Sequence, residues 1–278
     1  MPLAGRPGPG ALVPALAPAP ALALALSRLA EKGEAEQWTA EAVLGGGLDV
    51  AHPRWLPRKF HAALISQFYH GELATQRLCR ILLKRIDDPR AGRCLSIQIA
   101  DEERHAQVYC AYLKRLGDIR PVEPALEEAF ERALSWSGPP EALIAAFNIV
   151  LEGEALRALE NMGGWLNCPL FQRINGPICR DEARHFAFGR IYLRRRLPGL
   201  DREQRVDIYR WLKGLWLDTA FGTLDGFRIP GLITRRRRKA WAESGWQGHR
   251  RNLISVGLLD SDEARRAETG GPVGRGVR

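Results

Sequence analysis

A short motif that occurs twice places the strongest constraint on the fold of this chain. Its two copies read DEERH and DEARH, and they start at Asp101 and Asp181. Each copy contains Glu-x-x-His in a stretch without strand signals, and residues three apart on a helix lie about 60° apart around its axis. A carboxylate and an imidazole on one helix face can bind a metal ion together. The predicted pairs are Glu102 with His105 and Glu182 with His185.

Each motif is preceded by one more glutamate at the same distance. Glu72 precedes Glu102 by 30 positions, and Glu152 precedes Glu182 by 30 positions. A single Glu-x-x-His is common as a solvated pair on charged helices, but this repeated spacing is hard to obtain by chance. Four helices that supply Glu, Glu-x-x-His, Glu and Glu-x-x-His can hold two metal ions. The predicted ligands are Glu72, Glu102, His105, Glu152, Glu182 and His185.

Two glutamates compete for the third-helix position. The dipeptide Gly153-Glu154 resembles Gly71-Glu72, whereas the repeat spacing selects Glu152. The two side chains lie about 200° apart on a helix, so only one can face the metals. We choose Glu152 because its neighbours at helical spacing are mostly apolar, whereas Arg157 offers Glu154 an ordinary ion pair three residues on.

An aspartate and an arginine flank the ligands in both motifs. Metal-bound histidines usually donate their free ring N–H to a carboxylate. We therefore expect Asp101 to bind His185 and Asp181 to bind His105 across the bundle, with Arg104 and Arg184 holding the aspartates. The alternative is an ordinary surface Asp–Arg pair in each motif.

Helical periodicity and breakers predict an all-α chain with one main domain. Residues 1–27 are rich in Ala and Pro and are expected to be a disordered extension. The helical domain is predicted over 28–259, with the ligand bundle at about 58–196, and residues 260–278 are expected to be a disordered basic tail. Within the bundle, Gly163 and Gly164 are expected to end the third long helix near Asn161.

Charge and cysteine content argue against a disulfide-stabilised secreted protein and favour an intracellular one. The net charge of +9 is concentrated near the C-terminus, where Arg235 to Lys239 form a basic run that is read first as a solvated segment. Five cysteines without Cys-x-x-Cys spacing argue against a disulfide framework and fit the reducing cytoplasm. No apolar run reaches membrane-spanning length free of proline and charge.

The two DExRH motifs and their upstream glutamates resemble those of the ferritin-like di-iron carboxylate superfamily. They are most similar to its oxidase and oxygenase branch, which includes multicomponent monooxygenases, N-oxygenases and the small subunit of ribonucleotide reductase. The resemblance covers residues 60–195. It implies a ferritin-like four-helix bundle with additional N- and C-terminal helices. It also implies two iron ions that react with dioxygen, with a manganese–iron pair as the alternative.

Two positions qualify this resemblance. Ile178 stands where N-oxygenases of this type carry a further histidine, so N-oxygenation is not supported. Tyr109 follows His105 at the spacing of the radical tyrosine in the reductase subunit, so the resemblance gives Tyr109 a catalytic role. The alternative for Tyr109 is core packing.

The expected function is therefore that of a non-haem di-iron oxidoreductase that oxidises or hydroxylates a small organic substrate. The alternatives are a ferroxidase without organic substrate and an RNA-modifying hydroxylase. Besides substrate and dioxygen, the expected partners are an external electron donor and a second copy of the chain in a homodimer; nucleic acid and membrane are not expected. Four small residues could line a substrate pocket or mark close helix packing: Gly71, Ala106, Ala155 and Gly189.

Overall fold

A computed structural model describes residues 19–47, 49–226 and 234–269 of the chain, and these residues form helices and connections without strands. Within these ranges, no helix combines the length and apolarity needed to cross a membrane. The helices in chain order are α1 (Ala19–Ala35), α2 (Ala40–Leu44), α3 (Arg58–Leu83), α4 (Pro89–Leu116), α5 (Pro124–Leu134), α6 (Pro140–Ile144), a π-helical segment (Ala145–Leu151), α7 (Glu152–Trp165), α8 (Pro169–Arg196), a 3₁₀ turn (Leu197–Gly199), α9 (Arg202–Gly226), α10 (Arg235–Ser255) and α11 (Ser261–Thr269).

Four helical runs form the central bundle: α3, α4, the run from α6 to α7, and α8. Local sequence signals set their ends. Asp88 caps α4 by accepting a hydrogen bond from the Arg90 N–H (2.9 Å), and Pro89 occupies the first turn. Gly117 ends α4 with φ +110°, a conformation that glycine adopts without steric cost.

The third helical run differs from its prediction. It continues from Pro140 to Trp165 through the π-helical segment, and Gly163 and Gly164 lie inside α7, so the predicted end near Asn161 was wrong. Glycine weakens a helix without forbidding it, and packing of α7 against α8 outweighs the local preference. The π-helical segment ends directly before Glu152.

The helical domain extends beyond the predicted 28–259 at both ends. Helix α1 begins at Ala19, and buried Leu22 and Leu26 attach it to the core, so residues 19–27 are not a disordered extension. Helix α11 lies inside the predicted tail and buries Ala264 and Ala267. The short, alanine-rich apolar faces of these helices gain their stability from packing rather than from local signals. The remaining parts of the two predicted disordered segments, 1–18 and 270–278, lie outside the described residues.

Two apolar clusters occupy the interior of the bundle. On α4, Ala91 and Leu95 belong to one cluster, whereas Val108 and Leu113 belong to the other. The same division holds along α3, α7 with its preceding segment, and α8. The predicted ligands fall between the two clusters on all four helical runs, so the packed core fixes the position of the site along the bundle.

Candidate metal centre

The structure brings the six predicted ligands together in the interior. Glu72 lies on α3, Glu102 and His105 on α4, Glu152 at the start of α7, and Glu182 and His185 on α8. All six side chains are buried, with at most 7% of any of these residues exposed. They form two groups of potential metal ligands that share Glu102: Glu72, Glu102, His105 and Glu182 in one, and Glu102, Glu152 and His185 in the other.

Distances within these groups suit two neighbouring metal positions. His105 Nδ1 lies 3.3 Å from Glu102 Oε2, 3.3 Å from Glu182 Oε1 and 3.6 Å from Glu72 Oε2. His185 Nδ1 lies 3.2 Å from Glu102 Oε1, 3.4 Å from Glu152 Oε2 and 3.8 Å from Glu182 Oε2. The carboxylates of Glu102 and Glu182 thus approach both histidines, so each could supply a ligand oxygen at either position.

The polar atoms of the cluster are incompletely satisfied by the protein. Buried atoms without a hydrogen-bond partner include Nδ1 of both histidines, Glu102 Oε2 and Glu152 Oε2. Burial raises the pKa of Glu72 well above its usual range and raises the pKa of Glu152 to about 8. Four buried carboxylates facing one another require a positive counter-charge, and two divalent cations supply four charges. The residues present therefore fit a pair of metal ions.

The aspartates of the two motifs lie behind the histidines in the crossed arrangement. His105 Nε2 is 3.2 Å from Asp181 Oδ2, and His185 Nε2 is 3.0 Å from Asp101 Oδ2. Burial opposes ionisation of these aspartates, but hydrogen bonding to the histidines outweighs it and lowers the pKa of both carboxyl groups. An ionised aspartate at Nε2 leaves the Nδ1 lone pair of each histidine directed at the ligand cluster.

Two arginines hold the aspartates. Arg184 Nη2 donates to Asp101 Oδ2 (2.6 Å) and to Asp181 Oδ1 (2.7 Å), and Arg104 Nη2 donates to Asp101. The aspartates are at most 2% exposed, so these are not surface ion pairs. Arg184 also joins the two halves of the repeat, a contact that the motif spacing did not predict.

Sequence reasoning missed three polar side chains around the cluster. Trp38 Nε1 donates to Asp181 Oδ2 (2.7 Å), and its ring stacks with His105 at a centroid distance of 6.0 Å. Gln98 Nε2 donates to Glu152 Oε1 (2.5 Å), and Asn148 Nδ2 donates to Gln98 Oε1 (3.1 Å). Gln98 stands four positions before Glu102, a spacing that could have indicated its role. Trp38 lies between α1 and α2, where no periodic pattern marks it.

The structure separates the two competing glutamates. Glu152 joins the cluster, whereas Glu154 forms two hydrogen bonds with Arg157, one of them from Nε to Oε2 at 3.2 Å. Tyr109 is fully buried, its hydroxyl has no hydrogen-bond partner, and its ring stacks with Phe68 at 5.9 Å. Burial raises the pKa of the Tyr109 phenol well above its usual range. Its catalytic role stays a prediction.

A cavity of about 220 Å³ lies against all four carboxylates of the cluster. Its wall is mostly apolar, and the described residues that line it, other than the ligands, are Leu64, Gln67, Phe68, Gly71, Thr75, Leu126, Phe130, Leu151, Glu154, Ala155, Ala158 and Thr223. Of the four small residues considered for this role, Gly71 and Ala155 line the cavity and Ala106 and Gly189 do not. Gly189 instead marks close packing, because a Cβ there would lie 2.6 Å from Asn148 Cβ.

The fold and the site define a ferritin-like helical bundle with a buried cluster of four glutamates and two histidines, as the motifs predicted. One similar solved structure is the R2-like ligand-binding oxidase from Sulfolobus acidocaldarius. It shares 18% sequence identity with this chain at a TM-score of 0.56, and the match covers 86% of this chain and 93% of the oxidase. This likeness establishes the fold. No protein-family model and no curated protein matches the chain.

Proposed function

We propose that this protein binds two iron ions and uses dioxygen to oxidise or hydroxylate a small organic substrate. The main support for this proposal is that an apolar cavity adjoins the buried cluster of predicted ligands. Several polar atoms of that cluster have no hydrogen-bond partner among the described residues. The similar structure is by its name a ligand-binding oxidase, which is consistent with such a cavity. The same donor set suits manganese, so a manganese–iron pair is the alternative.

Each part of the site has a task in this proposal. Two ferrous ions would supply the electrons that dioxygen takes up. His105 and His185 present Nδ1 towards the ions because Asp181 and Asp101 accept hydrogen bonds from the opposite ring nitrogens. The apolar wall excludes water and places a substrate carbon beside the four carboxylates. Further turnovers need an external electron donor, and the five free cysteines fit a reducing compartment such as the cytoplasm.

The cavity favours an organic substrate over the two alternatives. Iron oxidation alone requires no apolar chamber beside the ions, so the ferroxidase alternative leaves the cavity without a purpose. An RNA-modifying enzyme would place basic side chains around the entrance to the site. None of the residues 235–239 lines the cavity, and most of this basic run is exposed on α10.

Oxygen consumption by the iron-loaded protein tests the proposal. Protein loaded anaerobically with ferrous iron should consume dioxygen rapidly on mixing, with an accompanying change in visible absorption. Glu102→Ala removes a carboxylate shared by both metal groups and should abolish the reaction. Glu103→Ala is the matched control, because Glu103 points outward and pairs with Arg80. Loaded wild-type protein that consumes no more oxygen than free ferrous iron would contradict the proposal.

A further inference from the structure

Among the described residues, few polar side chains line the cavity outside the carboxylate cluster. They are Gln67, Thr75, Glu154 and Thr223. Gln67 and Thr75 are engaged by main-chain groups, since Gln67 bonds the main chain before α5 and Thr75 donates to the Gly71 carbonyl at 3.1 Å. The Thr223 hydroxyl is buried out of reach of a water-sized probe, so it does not face the cavity. Of these four side chains, Glu154 therefore remains as the one that can recognise a ligand.

Glu154 presents a carboxylate held in one position. Arg157 donates to both of its oxygens, and the buried imidazole of His249 lies behind it, with Nε2 at 3.8 Å from Oε2. That distance is too long for a hydrogen bond, and none of the described residues hydrogen-bonds His249 Nε2. An ionised carboxylate accepts hydrogen bonds and donates none, so Glu154 retains lone pairs for a donor in the cavity.

We propose that Glu154 is the polar anchor for a small apolar substrate that carries one hydroxyl or amino group. The O–H or N–H of the substrate donates to a carboxylate oxygen of Glu154. Because this assignment specifies the substrate of the same cavity, it rests on the proposed function. The remaining wall, including Leu64, Phe68 and Phe130, disfavours a second polar group, and Glu154 repels a carboxylate head group.

Four six-carbon or isomeric probes test this assignment by calorimetric titration of the metal-loaded protein without oxygen. Hexan-1-ol and hexan-1-amine carry a donor, 1-methoxypentane is the isomer of the alcohol without one, and hexanoate carries an anionic head group. The alcohol or the amine should bind about tenfold more tightly than the ether, as expected for a hydrogen bond to a charged group. Equal binding of alcohol, amine and ether, or tightest binding of hexanoate, would overturn the inference.

Variants locate the effect in the wall. Glu154→Gln should reduce the preference over the ether to about twofold or less, whereas Glu160→Gln, at an exposed position of α7, should retain it. Unchanged preference in Glu154→Gln would overturn the inference. Metal content is measured on the same samples. If the protein binds two ions but does not prefer the alcohol or the amine over the ether, the result contradicts this inference alone. If the protein shows that preference but never binds metal, the result contradicts only the proposed function.

Discussion

At the scale of the residue, the two nitrogens of each cluster histidine have separate partners. Nδ1 faces glutamate oxygens at 3.2–3.8 Å, and Nε2 faces an aspartate from the other motif at 3.0 or 3.2 Å. The aspartates thus select the tautomer that can bind a metal, although they belong to neither group of potential metal ligands.

Removal of either aspartate should weaken metal binding. Asp181→Ala frees His105, and Asp101→Ala frees His185, so each variant should lose about 10–100-fold in metal affinity. Titration with ferrous or cobalt ions under anaerobic conditions measures the change. Asp118→Ala, which removes an exposed ion pair with Arg120, should bind metal like wild type. Unchanged affinity in both motif variants would show that the histidines need no such partner.

The two glutamates at the start of α7 should respond differently to substitution. Glu152→Ala removes one ligand from the group formed by Glu102, Glu152 and His185, so metal content should fall and oxygen consumption should be lost. Glu154→Ala breaks the pair with Arg157 and removes the proposed substrate anchor, but it leaves both metal groups complete, so metal content and oxygen consumption measured without substrate should be kept. Elemental analysis and an oxygen electrode measure the two effects. The opposite pattern would mean that the Gly-Glu dipeptide marks the ligand rather than the repeat spacing.

The residues of the cluster could be predicted from the sequence because residues three apart in a helix lie on the same face of that helix. Glu102 and His105 could be placed in this way without knowledge of any tertiary contact. Trp38 could not, because its bond to Asp181 joins residues 143 positions apart and follows from how α1 and α2 pack on the bundle.

At the scale of the element, the π-helical segment before Glu152 was not predicted. All of its residues except Asn148 are apolar, so the sequence shows no periodicity that could distinguish a π-helix from an α-helix. Tertiary contacts accompany it: Asn148 donates to Gln98, and Gly189 of α8 allows a close approach at Asn148. The first part of α1, residues 19–27, and helix α11 were missed because packing, rather than local signals, defines them.

A side chain at Gly189 should disturb this segment. Gly189→Ala would place a Cβ 2.6 Å from Asn148 Cβ and 3.2 Å from Ile149 Cδ1, so we expect a loss of about 1–3 kcal/mol in the free energy of unfolding. Gly214→Ala on α9 is the matched control, since its Cβ would meet nothing within 4 Å and should stabilise slightly. Urea denaturation measures both. Equal stability of the two variants would show that the helices adjust at little cost to a side chain at position 189.

At the scale of the whole molecule, the site lies between two apolar clusters, and its position depends on both. His61 on α3 is a buried titratable group next to the apolar cluster that contains Val108 and Leu113. It lies 3.2 Å from the Tyr112 hydroxyl and 3.3 Å from His52. Burial, with smaller contributions from His52 and Arg58, lowers the pKa of His61 from 6.5 to about 4.

Acid should therefore reduce the stability of the fold through His61. The unfolded chain binds a proton at this residue below about pH 6.5, whereas the folded protein does not until about pH 4. Stability is fully present above pH 6.5 and should fall by on the order of 2 kcal/mol as the pH approaches 4. His61→Gln, which does not titrate, should lose correspondingly less between pH 7 and pH 5 in urea denaturation. An identical loss in both proteins would assign the acid sensitivity to other groups.

The metal content of the purified protein shows whether the buried cluster of four glutamates and two histidines binds two ions. Protein saturated with ferrous iron without oxygen, and then freed of unbound metal, should contain about two iron ions per chain by elemental analysis. The double variant Glu102→Ala/Glu182→Ala, which removes both carboxylates placed between the histidines, should contain close to none. A wild-type content near zero, or equal contents in the two proteins, would contradict the assignment of this cluster as a di-metal site.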